Sequence, residues 1–209
     1  MFAWVDRGYD YAVSSDAATR ERFTGPEYLA MERASPVRHE FFRGVAFAMA
    51  GASRQHNLIV ANVVGEFRSV LRDRPCEVYP SDMRLKAEAT GLYAYPDVTV
   101  VRGPPRLEDE HGDTLCNPSV LFEVLSDSTE SFDRGAKFEQ YRTIPSLAEV
   151  VFLSQKEAHV EHFERQSDGS WRLREFRGGD RLPLPLLACE VAVDDLYLKV
   201  FTVPPDDPG

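Results

Sequence analysis

Glu123 stands inside SVLFEVLS (119–126), a run that is otherwise almost wholly apolar. Such a run belongs in the middle of a sheet covered on both faces. A lone carboxylate buried there costs several kcal/mol unless it is paired, bound to a metal or protonated. Asp97 is placed similarly, between Pro96 and the apolar residues Val98, Val100 and Val101. Either acid alone could be satisfied by backbone donors or by an arginine. Two acids on neighbouring buried strands repel each other unless a cation lies between them. A divalent metal is the simplest solution, and hard carboxylate oxygens suit magnesium or manganese.

A lysine joins them. Glu123 and Leu125 point to the same side of their strand. A helix is expected over residues 131–143, stopped by Ile144-Pro145. The short loop before it folds it back onto the sheet. On that helix Lys137, Tyr141 and Ile144 fall at i, i+4 and i+7, which is one face. Lys137 then reaches the space above Leu125, next to Glu123, unless it is a surface lysine with only its stem packed on the sheet.

The elements that must position these groups are legible from period and punctuation. Thr24, Pro26 and Glu27 form the start signal of a short helix that ends before Ser35-Pro36. Residues 39–49 read as a hairpin turning at Arg43-Gly44. Apolar residues from Val60 to Leu71 recur at helical spacing and predict a helix over 55–72 with one buried face. Strands are expected over 76–86, 95–102 and 119–126, with Asp82, Arg84 and Lys86 sharing one face of the first. Further strands are expected over 149–154, 159–165 and 171–176, the last two joined at Asp168-Gly169. This is one α/β domain over residues 24–200 with a mixed sheet of six or more strands. Residues 1–23 read as an extension and 201–209 as a frayed tail.

Composition narrows the classes. The 209 residues are 43% apolar and 28% charged, which suits a single substantial core and excludes general disorder. Three cysteines, far apart at 76, 116 and 189, exclude a disulfide scaffold. The N-terminus has neither the basic start nor the long apolar stretch of a signal peptide, and no run is long enough to span a bilayer, so a cytoplasmic setting is expected. The formal charge is −10, so the overall field does not draw the chain to nucleic acid or to anionic membranes. Only four of the 24 basic residues are lysines, which makes Lys137 the more conspicuous. No G-x-S-x-G, phosphate-cradling loop or zinc spacing occurs.

Pro96-Asp97, then Glu123 in an apolar strand, then a lysine, resembles the core of the PD-(D/E)xK nuclease superfamily. In the plain motif the lysine follows the second acid by two residues; that place is Leu125 here, and Lys137 on the following helix would fill the same space. The stretches TGPEYLAME, RHEFFRGVAFAMAGAS, RQHNLIVANVV, YPSDMRL, YPDVTVV, FEVLSDSTESFDRGAKFEQYRTIPSL and EVVFL resemble more narrowly the Uma-two (Uma2) family of restriction-endonuclease-like proteins. That resemblance implies a restriction-endonuclease-like αβββαβ core with an N-terminal helix, a hairpin and extra C-terminal strands. It implies Asp97, Glu123 and Lys137 as catalytic residues, with Asp97 and Glu123 holding Mg²⁺ or Mn²⁺.

The resemblance also points to Glu40 and Asp82 as additional site acids. Each could equally form a salt bridge with Arg38, Arg43 or Arg84. His56, at the start of the long helix, either touches the site or caps the helix. The expected activity is endonucleolytic hydrolysis of DNA phosphodiester bonds. The alternatives are a non-catalytic nucleic-acid-binding or interaction module of the same fold, and a metal-dependent small phosphoesterase. Cutting both strands of a duplex needs two sites, so a homodimer is expected, with the first helix and the 39–49 hairpin as candidate interface. A nuclease this acidic needs locally clustered arginines.

Overall fold

In the structure, a computed structural model, residues 22–126 and 130–202 are described. Most of the proposed extension (1–21) and of the tail (203–209) lies outside them. Helix α1 (Gly25–Ala34) starts where the sequence places it: Thr24 Oγ1 accepts from Glu27 N, and Glu27 Oε2 accepts from Thr24 N at 2.7 Å. This is the reciprocal capping box. Strands β1 (His39–Phe42) and β2 (Val45–Ala48) form the hairpin. Its two turn residues, Arg43 and Gly44, have φ of 51° and 86°, the left-handed pair that matches the twist of a two-residue hairpin loop.

Helix α2 (Arg54–Val70) is capped by Ser53 and buries Ile59, Val63 and Phe67, one residue per helical turn. Strands β3 (Cys76–Pro80), β6 (Val98–Arg102), β8 (Val120–Leu125), β9 (Glu149–Ser154), β10 (His159–Arg165) and β11 (Trp171–Arg177) form one sheet in the order β11-β10-β9-β8-β6-β3. Within it β8 and β9 run parallel and the other pairs antiparallel. A parallel pair needs a crossover, and a helical segment, α3 (130–141), supplies it. The segment contains Glu130–Phe132, a π-helical turn Asp133–Lys137, and Phe138–Tyr141.

All six residues of β8 are buried, as its composition requires. On one face Phe122 packs against Phe67 of α2, their ring centres 4.7 Å apart. On the other, Leu121 and Leu125 pack with Phe138 and Tyr141 of α3. In chain order α2, β3, β6, β8, α3 and β9 make the αβββαβ core.

The expected strand over 76–86 is two strands in two sheets. Pro80 ends β3, Ser81 and Asp82 turn, and β4 (Arg84–Ala87) enters a second sheet of order β2-β1-β5-β4-β7, with β5 (Leu92–Ala94) and β7 (Thr114–Leu115). Proline has no N–H for a continuing ladder, and Pro-Ser-Asp favours a turn. The expected strand over 95–102 likewise starts later, at Val98, so Asp97 sits just before it. A C-terminal hairpin of β12 (Arg181–Leu184) and β13 (Cys189–Ala192), followed by a one-turn helix Val193–Leu196, covers the α2 side of the core. No helix among the described residues is long and apolar enough to cross a membrane.

Candidate active site

The β6–β8 ladder pairs Val98 with Phe122. One step further along that register, Asp97 falls opposite Glu123. Residues facing each other across an antiparallel pair share a side of the sheet. That side is the one covered by α3.

From α3, Lys137 and Tyr141 reach down one turn apart. Lys137 Nζ lies 3.0 Å from Glu123 Oε1, and Tyr141 Oη donates to the same oxygen at 2.7 Å. Lys137 Nζ also lies 2.9 Å from Glu40 Oε1 and 3.6 Å from Asp133 Oδ1. Glu40 arrives from β1 in the second sheet, and its Oε1 also accepts from Tyr95 N at 3.2 Å. The second sheet is thereby tied to the crossover helix through one ammonium group. Asp133 and Lys137 bound the π-helical turn, the kind of local widening that recurs at functional sites.

Asp97 is held from two directions. Its Oδ2 accepts from Val124 N at 2.7 Å, and its Oδ1 is 3.0 Å from His56 Nε2. Ser53 caps α2 by accepting from His56 N at 3.0 Å, which leaves the imidazole free to turn to Asp97. The cluster is graded in depth. The side chains of Glu123 and Lys137 are 5% and 6% exposed, and those of Asp97, Glu40 and His56 are 14%, 15% and 18%, so the outer members of the cluster meet solvent.

Three carboxylates (Glu40, Glu123, Asp133) thus surround one ammonium group, and the Asp97 charge is felt at Glu123. Burial pushes the Glu123 carboxyl well above its ordinary range; Lys137 opposes this, and Asp133, Asp97 and Glu40 add to it. Burial opposes charge on Lys137 too, but Glu123 and Glu40 outweigh it and hold that pKa well above an ordinary lysine's. Burial and the Glu123 charge also raise the Tyr141 hydroxyl, which therefore remains a donor. The carboxylates' donors are hard oxygens. Among the described residues no hydrogen bond engages Glu123 Oε2. Oxygen donors of this kind suit Mg²⁺ or Mn²⁺, and Asp97 and Glu123 are the acids that could hold such an ion.

The residues expected from sequence separate clearly. Asp97, Glu123, Lys137, Glu40 and His56 come together. Asp82 does not: its side chain is 71% exposed and pairs with Arg38 at 2.5 Å. It lines a separate 490 Å³ groove with Glu32, Arg84, Tyr95 and Asp113. The turn after Pro80 takes it off the strand that would have carried it inward. Asp133 went unread, though its place four residues before Lys137 puts it on the same helical face.

A sequence profile of the Uma2 family, described as "Putative restriction endonuclease", matches residues 26–196. The chain belongs to this family. An uncharacterized protein of Synechocystis sp., sll1609, is 38% identical over 161 residues, covering 77% of this chain and 91% of its own. A second from the same organism, slr1290, is 31% identical over 183 residues, covering 88% and 95%. Among solved structures, a protein from Anabaena variabilis titled "a putative nuclease belonging to DUF820" superposes with a TM-score of 0.70 at 16% identity. That match covers 86% of this chain and 99% of the other, and it shows that the fold is shared.

Proposed function

We propose that this chain of the Uma2 family is a metal-dependent endonuclease that hydrolyses phosphodiester bonds of DNA. One observation carries the reading: Lys137 Nζ is buried against Glu123 on the sheet side where the register places Asp97 opposite Glu123. This supports the reading because an ammonium from the crossover helix stands beside the second acid, where the superfamily's motif would bring its lysine. A Mg²⁺ or Mn²⁺ ion held by Asp97 and Glu123 would supply Lewis-acid polarisation of the phosphate and of the attacking water.

The protein's own groups do the rest. Lys137 neutralises charge developing on the phosphate. Tyr141 and Lys137 both bind Glu123 Oε1 and so aim Oε2 at the cation position. His56 fixes one oxygen of Asp97 and the Val124 amide fixes the other.

Binding an anionic polymer requires local positive charge on an acidic protein. Arg68 and Arg72, without a carboxylate partner among the described residues, line a 640 Å³ groove between α2 and the edge strand β3, together with Glu77 and Tyr79. Two sites, one for each strand of a duplex, would come from a homodimer.

The test is cleavage of plasmid and of single-stranded DNA with Mg²⁺ or Mn²⁺. Parent protein should cut, and Asp97→Ala and Lys137→Ala should not. If the variants cut as fast as the parent, the assignment fails.

A further inference from the structure

On the outer part of the large sheet, β10 and β11 bring a second set of donors together. Glu161 and Glu175 are direct partners in the β10–β11 ladder, and His159 lies two residues from Glu161 on the same side of β10. One ligand atom from each of the three lies within 4.8 Å of the other two. His159 Nε2 is closed off from solvent and has no hydrogen-bond partner among the described residues. A Glu175 carboxylate oxygen stands 3.4 Å away from it. Two metal–ligand bonds of about 2.1 Å at a tetrahedral angle span about the same distance. An orphaned imidazole nitrogen costs free energy in an apolar setting, and a metal would satisfy it.

Arg134 of α3 donates to Glu161 Oε2 and orients that carboxylate. Among the described residues Glu161 Oε1 has no hydrogen bond. An outer partner that orients a ligating carboxylate is a common support for a metal site. The set is distinct from the Asp97–Glu123 cluster. The ladders run Glu123 to Phe152 to Glu161, so the Phe152 strand separates the two groups by about 10 Å.

We propose that His159, Glu161 and Glu175 bind a transition-metal ion of the zinc class, one imidazole and two carboxylates leaving at least one position for solvent. Zinc is preferred to magnesium because an imidazole donor suits the borderline metal and the set is not all oxygen. Such an ion would clip β10 to β11 and, through Arg134, steady the helix that carries Lys137.

The experiment uses the full chain carrying Asp97→Asn, which weakens the cluster proposed for catalysis. Zn²⁺ is titrated calorimetrically into metal-free protein, and Co²⁺ is added as a spectroscopic stand-in. One equivalent should bind, with Co²⁺ absorption bands of low coordination number. His159→Ala and Glu175→Gln should each weaken Zn²⁺ binding at least ten-fold. Glu175 is more than half exposed, so Glu175→Gln should leave the metal-free melting temperature unchanged, which separates ligand loss from unfolding. Absence of Zn²⁺ binding, or binding that neither substitution weakens, would overturn the proposal. Nuclease activity plays no part in this readout, so the two readings stand or fall separately.

Discussion

Lys137 Nζ lies 3.0 Å from Glu123 Oε1 although the two residues belong to different elements. The strand position two residues after Glu123 holds Leu125, which is buried in the apolar cluster under α3. The lysine instead descends from the crossover helix and takes Glu40 and Asp133 as further partners. With the ammonium on the helix, the strand is apolar on either side of one acid. This placement also makes the charge balance of the site depend on how α3 docks.

Lys137→Ala should therefore act on stability and on catalysis at once. Without the ammonium, Glu40 and Glu123 lose the positive charge they share, and breaking a buried pair of this kind costs about 3–5 kcal/mol. Chemical denaturation without divalent metal should show that loss. In saturating Mn²⁺ much of it should return, while cleavage stays down by about 10²–10³-fold, as for the loss of a charge-stabilising donor. Cleavage restored along with stability would remove Lys137 from the mechanism.

His56 is the positioning partner of Asp97, with Nε2 3.0 Å from Oδ1. Replacing it with alanine leaves the Val124 amide as the remaining hold on that carboxylate. Mn²⁺ affinity, measured by calorimetry, should fall about ten-fold, the usual scale for losing a partner of a metal ligand. His56→Asn should recover part of it by donating to the same oxygen. An unchanged Mn²⁺ affinity in His56→Ala would leave the residue a structural one.

The Arg68–Arg72 groove can be checked apart from chemistry. Arg68→Glu with Arg72→Glu should weaken binding to a DNA duplex and flatten its dependence on salt, because fewer counterions are released. Mn²⁺ affinity should be unaffected. Equal DNA affinity in parent and variant would place the nucleic-acid path elsewhere on the molecule.

The αβββαβ core was legible because its signals are long and consistent: an uninterrupted apolar run in β8 and one residue per turn along α2. The same signals put Asp97 and Glu123 on neighbouring strands, although Asp97 lies just before its strand and not within it. The second sheet was not legible, because 76–86 alternates well enough to pass for one strand. Its break rests on three residues, Pro80, Ser81 and Asp82, and that break decides the fate of Asp82. Asp133 was hidden for another reason. An acid on a helix is ordinarily solvated, and only the docking of α3 buries this one. The hairpin β12–β13 was obscured by Pro183, which an edge position tolerates and a central strand would not.

A fully buried pair away from the site tests the core. His162 Nε2 lies 2.7 Å from Glu149 Oε2, and Glu149 Oε1 accepts from Leu186 N at 2.8 Å. Their side chains are 0% and 1% exposed. Glu149→Ala would strand an imidazole and an amide in the interior and should cost about 3–5 kcal/mol in urea unfolding. Glu149→Gln, which can still accept from Leu186 N, should cost less. Equal losses in the two variants would show that the pair, and not the backbone bond, sets the stability.

Glu123 makes a prediction that links pH, metal and stability. Its folded pKa lies well above the ordinary carboxyl value, raised first by burial. A group raised on folding stabilises the protein below its unfolded pKa, and that contribution is lost as pH rises through the folded one. Metal-free protein should therefore lose this contribution on going from about pH 4.5 upward. Lys137, also raised, contributes below its unfolded value near 10.5, so it is constant over the same interval. A divalent cation binds the ionised carboxylate and competes with the proton. The rise in melting temperature on adding Mn²⁺ should accordingly be larger at pH 8 than at pH 5, and Glu123→Gln should abolish that difference. A Mn²⁺ effect independent of pH, or one that survives in Glu123→Gln, would place the cation away from Glu123.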